Sequence, residues 1–229
     1  MRISKIFFVS FLVLACVACT TVPQSPVNFS QINVGNEASI TVVMSDIPDP
    51  GMAYPGAGCL LCLGVAAAAN SDLSKYSKTL PTDDFLSFGE DARNVLLERG
   101  IDVELSENIF VNKDLSKSTS KEMNVAAKNH SILKDTFDTT HLLVIRLDSI
   151  GMSRNYANYI ATSKPYVNIT GSAYLVNLET NIYDWYLPIE QQEYSDGEWN
   201  EKPDYPSLTN AYFGAIERVR EAIISGLKN

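Results

Sequence analysis

The apolar positions of this chain change period several times, and each change marks an element. Ile40, Val42 and Met44 alternate with Thr41 and Val43, which predicts a strand that Asp49-Pro50-Gly51 turn chemistry stops. Over residues 83–99 the period becomes helical, through Phe85, Phe88, Ala92, Val95 and Leu96. Thr82 is placed to cap this helix, Asp83 and Asp84 suit its first turn, and Arg99 and Gly100 suit its end. Alternation returns at Ile101, Val103 and Leu105. A second helix is expected to start near Thr119, which has capping-box spacing to Glu122. Met123, Ala126, Ala127, His130, Leu133 and Phe137 form its inner face. Residues 141–150 are apolar on both faces at first, as a central strand requires. Two long strands follow, at about 166–178 and 182–189, joined by Glu179-Thr180-Asn181 as a hairpin. Pro206 opens a final helix carrying Ala211, Ala215, Val219, Ala222 and Ile223. The order β-α-β-α-β-β-β-α predicts an α/β domain, a single mixed sheet with packed helices, over residues 38–229. An apolar insert occupies about 48–80, and the sequence contains no internal repeat.

Upstream of this domain the pattern is that of an export leader. Arg2 and Lys5 precede an apolar run over residues 6–18 broken only by Ser10, about 13 residues where a spanning helix needs roughly 20. The end of the run resembles the bacterial lipobox, in which an apolar residue and two smaller residues precede an acylated cysteine. Cys19 follows Val17 and Ala18, with Cys16 at the position usually held by leucine, and is the expected lipid anchor. Cys16 is the alternative, with bulky Leu14 less suited to the site. Residues 1–18 are then a lipoprotein signal peptide and 19–37 a polar tether. No Asp follows Cys19, which in lipoproteins of the enterobacterial type implies the outer membrane, with the domain facing the periplasm. Multiple acyl chains confine such a domain to a membrane surface, because each buried methylene contributes about 0.8 kcal/mol.

Charge narrows the partners. Loss of the leader removes two of 18 basic residues and none of the 27 acidic ones, leaving a net charge of −11. Such a surface repels nucleic-acid phosphates and offers no polybasic membrane patch. No phosphate-cradling glycine loop or dinucleotide fingerprint occurs, so no cofactor is expected.

The candidate chemistry is sparse. Cys59-Leu60-Leu61-Cys62 is the most specific local pattern, open to three readings: a disulfide or paired structural thiols, buried reduced cysteines in a packed helix, or redox catalysis. Zinc would need further ligands, and His130 and His141 are the only histidines. The surrounding run over 57–69, AGCLLCLGVAAAA, is either a core helix or a contact surface for a subunit or membrane, with Leu60, Leu61 and Leu63 as its candidate contacts. A large exposed apolar patch there would favour the contact. His130 and His141 lie in no nucleophile motif and read as structural. Asp83, Asp84, Glu90 and Asp91 share one helix, whereas a glycosidase pair needs acids facing across a cleft. Tyrosines and both tryptophans crowd the C-terminal half; Trp185 and Trp199 are candidate interface anchors beside a core reading.

On this lipid-anchored chain, three stretches together resemble a family of envelope proteins. They are ITVVMSDI followed after the insert by DDFLSFGEDARNVLLERG and IDVEL; HLLVIRLDSIG; and VNITGSAYLVNLETNIYDWYLPI. The pattern is similar to the curli-secretion lipoprotein, the lipoprotein activator of penicillin-binding proteins and the amino-terminal domain of TolB. The resemblance implies a non-catalytic periplasmic component that binds envelope proteins or oligomerises with itself. The insert at 48–80 departs from it. Competing classes are a periplasmic enzyme, either thiol-redox through Cys59 and Cys62 or a cell-wall hydrolase, and a secretion-channel subunit.

Overall fold

The computed structural model describes residues 24–29, 38–120 and 122–228; Cys16, Cys19 and the leader lie outside them. The strands are β1 (Ser39–Met44), β2 (Gly51–Ala53), β3 (Asp102–Leu105), β4 (His141–Ser149), β5 (Gly151–Ser153), β6 (Tyr156–Ala157), β7 (Ile160–Ala161), β8 (Tyr166–Asn177) and β9 (Tyr183–Tyr194). The helices are α1 (Leu60–Ala69), α2 (Ser71–Ser77), α3 (Phe88–Glu98), α4 (Lys134–Phe137) and α5 (Pro206–Lys228). The fold is α/β: a mixed seven-stranded sheet with packed helices and a separate two-stranded ribbon, β6–β7.

β8 is the spine of the sheet. β9 runs antiparallel along one side of it, and β4 and β5 lie end to end along the other. β1 is parallel to β4, β2 is parallel to β5, and β3 adds to the outside of β1. β1–β2 and β4–β5 are therefore two interrupted strands that break at the same level. Gly151 explains the break: at φ +126° it sits against the Gly51 backbone, where a Cβ would overlap. The first five residues of β4 are all buried, as their doubly apolar pattern demands.

The two faces are covered differently. On one, α3 and α5 bury Phe85, Phe88, Leu96, Leu208, Tyr212 and Val219 against Val42, Leu143, Ile169 and Leu175. On the other, Val43, Leu142, Val144, Tyr174 and Val176 are covered by Phe110, Leu115 and Ala126 from an irregular stretch. The helix expected from Thr119 does not form there. Ser118 and Ser120 accept local backbone N–H groups from Ser120 and Glu122, and Asn124 takes φ +63°. Such side-chain turns compete with a helix for the same donors. Asn181 anchors the irregular path instead, donating to the carbonyls of Ala126 and Lys128 at 3.2 and 3.0 Å. Met123, expected inward, is exposed. Thr82 makes no side-chain cap; Asp83–Ser87 is a 3₁₀ turn leading into α3.

Part of the polar N-terminal stretch is docked on the sheet. Val27 exchanges two 3.0 Å backbone hydrogen bonds with Tyr186 on β9. Phe29 then enters the main core, edge-on to Trp185 at 6.5 Å, with the Arg99 guanidinium 4.5 Å from its ring centre. Trp185, a candidate contact by sequence, is thus a core residue at 2% exposure, because its position on β9 faces the helix layer.

Candidate interaction site

The insert builds a projecting tip. Tyr54 to Ala57 turn back on themselves, Ala57 donating to the Tyr54 carbonyl at 3.1 Å. Gly56 makes the turn at φ +85°, with no room for a Cβ against the Tyr156 carbonyl. The β6–β7 ribbon zips onto this turn: Tyr156 N–H donates to Pro55 O at 2.7 Å and Asn158 N–H to Gly56 O at 3.2 Å. Cys59 then caps α1 in extended backbone conformation, its Sγ accepting the Cys62 N–H at 3.0 Å. Cys59 and Cys62 are bonded as a disulfide. At the far end Asn70 donates to Ala66 O at 2.7 Å and to the Tyr156 hydroxyl at 2.6 Å, and accepts from Arg154 Nη1 at 3.1 Å. Arg154 also donates to Ser163 O and stacks over Trp199, which is half-buried. Helix α1 is thereby held at both ends.

What α1 turns outward is unusual for a surface helix. Only Cys62 and Ala66, one turn apart, are buried. Leu60 is 91% exposed and Leu61 76%, and Leu63 and Val65 are also exposed. No charged residue occurs between Asp49 and Asp72. Tyr159 and Ile160 on the adjoining ribbon are exposed too. A helix apolar all round is normally buried; on a folded surface such a patch marks a contact.

The other candidates are structural by geometry. His130 is buried; Lys128 O can only accept, so Nδ1 carries the proton at 3.0 Å from it, and Nε2 accepts from the Tyr174 hydroxyl at 3.2 Å. Burial lowers its pKa below the ordinary value, holding it neutral. His141 lies between Thr140 Oγ1 at 2.8 Å and Asp184 Oδ2 at 3.1 Å, but this is not a nucleophile triad. The Thr140 hydroxyl donates to Ser39 O and accepts from Ser39 N–H, which ties the start of β4 to β1. The acids on α3 pair along the surface rather than across a cleft: Glu90 with Arg93 at 3.0 Å, Asp91 with Arg220 at 3.4 Å. Among the described residues, no three His, Cys, Asp or Glu side chains converge as a metal site.

Several cavities open on the described residues. One of about 540 Å³ lies at the carboxyl ends of β1 and β3, lined by Met44, Asp46, Leu86, Leu105, Glu107 and Ile109. Another, about 340 Å³, lies on the second face over Tyr174, Tyr183 and Tyr186, with Gln24 and Arg146 in its wall. Burial raises the pKa of Tyr174 far above its ordinary value and that of Tyr183 to about 12, so both are neutral donors. Neither cavity has a local sequence signal, because each is assembled from segments far apart in the chain. Asn70 and Arg154, which support the tip, lack a local signal for the same reason; Tyr156 is one of the aromatics crowding the C-terminal half, and its hydroxyl serves here as a partner of Asn70.

Among the described residues no helix is long and apolar enough to cross a membrane. No protein-family model and no curated protein matches the chain. Several solved structures align along it, two of them as follows. The lipoprotein GNA1162 from Neisseria meningitidis is 16% identical over 79% of this chain and 99% of its own, with a TM-score of 0.27. The hypothetical protein CT253 from Chlamydia trachomatis is 7% identical over 82% of this chain and 99% of its own, with a TM-score of 0.32. Likenesses this loose leave function to be read from the chain's own residues.

Proposed function

We propose that the chain is a lipoprotein of the bacterial envelope, an accessory subunit that works by protein–protein contact at a membrane surface. Acylation at Cys19, with Cys16 as the alternative acceptor, anchors it to the outer membrane with the domain in the periplasm. The leader, the small residues before Cys19 and the acidic, uncharged-tip composition support that placement. The observation that carries the contact reading is the tip: Leu60 and Leu61 stand exposed on a helix held at both ends, with no charge from residue 50 to residue 71. A pre-organised apolar surface loses little entropy on docking, which favours a binding role over a flexible linker. The occupant is another envelope protein, and a second copy of this chain is one form of it.

Mass spectrometry of the protein extracted from membranes tests the anchor; acyl mass on Cys19 or Cys16 is the expected result, and an unlipidated N-terminus refutes it. A photo-crosslinking amino acid at position 61, with position 98 as the exposed control, tests the contact in living cells. Discrete protein adducts from position 61 alone are expected, at twice the chain's mass for self-association. Adducts to lipid only, or none, refute the protein-contact reading.

A further inference from the structure

We infer that the Cys59–Cys62 disulfide is an exchange site for cysteine-bearing polypeptides, a function beyond the contact reading that uses the same tip. Four observations converge on it. The two cysteines are unequal: Cys59 is exposed while Cys62 is buried at 4% exposure, so approach from solvent favours Cys59. Cys59 is the N-cap of the ten-residue α1, its sulfur already facing the Cys62 N–H, and no acidic residue stands in the first turn. Free N–H groups and the helix dipole at that position stabilise a thiolate, which makes Cys59 both a competent nucleophile and a competent leaving group. As a staple the bond has little to hold. It closes a ring with only Leu60 and Leu61 between the cysteines, a short loop that restricts an unfolded chain little. Asn70 and the β6–β7 ribbon secure the tip independently. Finally, the exposed Leu60 and Leu61 flank the accessible sulfur, so the surface next to the bond suits an extended apolar segment rather than a small hydrophilic thiol.

The exchange balances with a polypeptide dithiol as the co-reactant. One of its thiolates attacks Cys59 Sγ, an intermolecular S–S bond forms, and the Cys59–Cys62 bond breaks. The electron pair departs on Cys62 Sγ, which takes a proton from solvent. The second thiolate of the same polypeptide attacks its own neighbouring sulfur in the mixed disulfide, closing a disulfide there and releasing Cys59 as a thiolate. Two electrons pass from the polypeptide to this chain. A disulfide-bearing oxidant of the envelope returns the pair to its bonded form.

The test uses the protein as purified in detergent, incubated with a reduced peptide carrying two cysteines among leucines, then alkylated and mapped by mass spectrometry. The wild-type disulfide is expected to open. With the disulfide-linked dimer of a one-cysteine version of the peptide, Cys62→Ser is expected to form a peptide adduct on Cys59, the second peptide leaving as its thiol, and Cys59→Ser to give at least about tenfold less on Cys62, following the difference in access. Leu60→Ser with Leu61→Ser should slow exchange with the peptide at least about fivefold more than it slows exchange with glutathione. A wild-type disulfide that stays closed, equal adducts on the two cysteines, or a peptide rate untouched by the leucine changes overturns the inference. The wild-type measurement stands even where a single-serine variant fails to fold. None of these readouts involves the lipid or crosslinking from position 61, so the exchange reading and the contact reading fail separately.

Discussion

Replacing Phe29 by Ala tests whether the stretch before β1 belongs to the fold. The ring is 2% exposed, packed edge-on against Trp185 and beneath the Arg99 guanidinium. A phenylalanine deleted from a closed core costs about 3–5 kcal/mol. Here the loss is capped, because residues 24–29 can detach instead of leaving a cavity. Two hydrogen bonds to Tyr186 and the buried Val27 side chain hold little once the ring is gone, and ordering each residue costs about 1–2 kcal/mol. The expected cost is therefore about 3 kcal/mol, a melting-temperature drop of about 6–12 °C for a chain of this size. Hydrogen exchange separates this from general weakening: the Val27 and Tyr186 amides, which bond each other's carbonyls, should lose protection while those of β4 keep it. The outcome bears on the anchor. With the segment docked, the proposed lipid on Cys19 would lie five residues from Gln24, at most about 18 Å; released, twenty residues to Ser39 would allow about 70 Å. A melting temperature within 1 °C of wild type, or Val27 exchanging at the unfolded rate already in the wild type, refutes the reasoning.

Other expectations follow from single contacts. Leu60→Ser with Leu61→Ser should leave stability within about 0.5 kcal/mol in a urea melt, since neither side chain is buried; a loss above 1 kcal/mol would show that the tip is part of the core. Gly171→Ala places a Cβ against the Arg146 carbonyl between β8 and β4 and should cost at least about 2 kcal/mol in the same assay, with a silent substitution arguing against the register. His130 is held neutral by burial, whereas in the unfolded chain it titrates near 6.5. Below that pH the unfolded state takes a proton that the native state refuses. Stability present above pH 6.5 is therefore lost as pH falls toward the lowered native value, at up to about 1.4 kcal/mol per unit. His130→Gln should flatten the change in melting temperature between pH 7.5 and 5.5; an unchanged slope would assign it elsewhere.

Local signals were enough wherever one face of an element decided its environment. The alternation at Ile40 to Met44, the doubly apolar start of β4, the hairpin around Glu179 to Asn181 and the long C-terminal helix were all legible, because burial imposes a period of 2 or 3.6 on the residues themselves. The expected leader and its cysteine rest on linear order alone and lie outside the described residues. Tertiary structure alone decided three things. It turned the stretch from Ser118 to Asn129 into an irregular cover and kept a short helical piece only at its end, up to Phe137, since serine hydroxyls and Asn181 from the hairpin took the backbone groups a longer helix needs. It buried Trp185 under Phe29, a partner more than 150 residues away in the chain. And it left the leucines of α1 outside, because Arg154 and Tyr156 hold that helix at its C-terminal end through Asn70, and of its own residues only Cys62 and Ala66 are buried. Composition cannot distinguish an apolar helix that is covered from one that is displayed; that depends on which distant residues reach it.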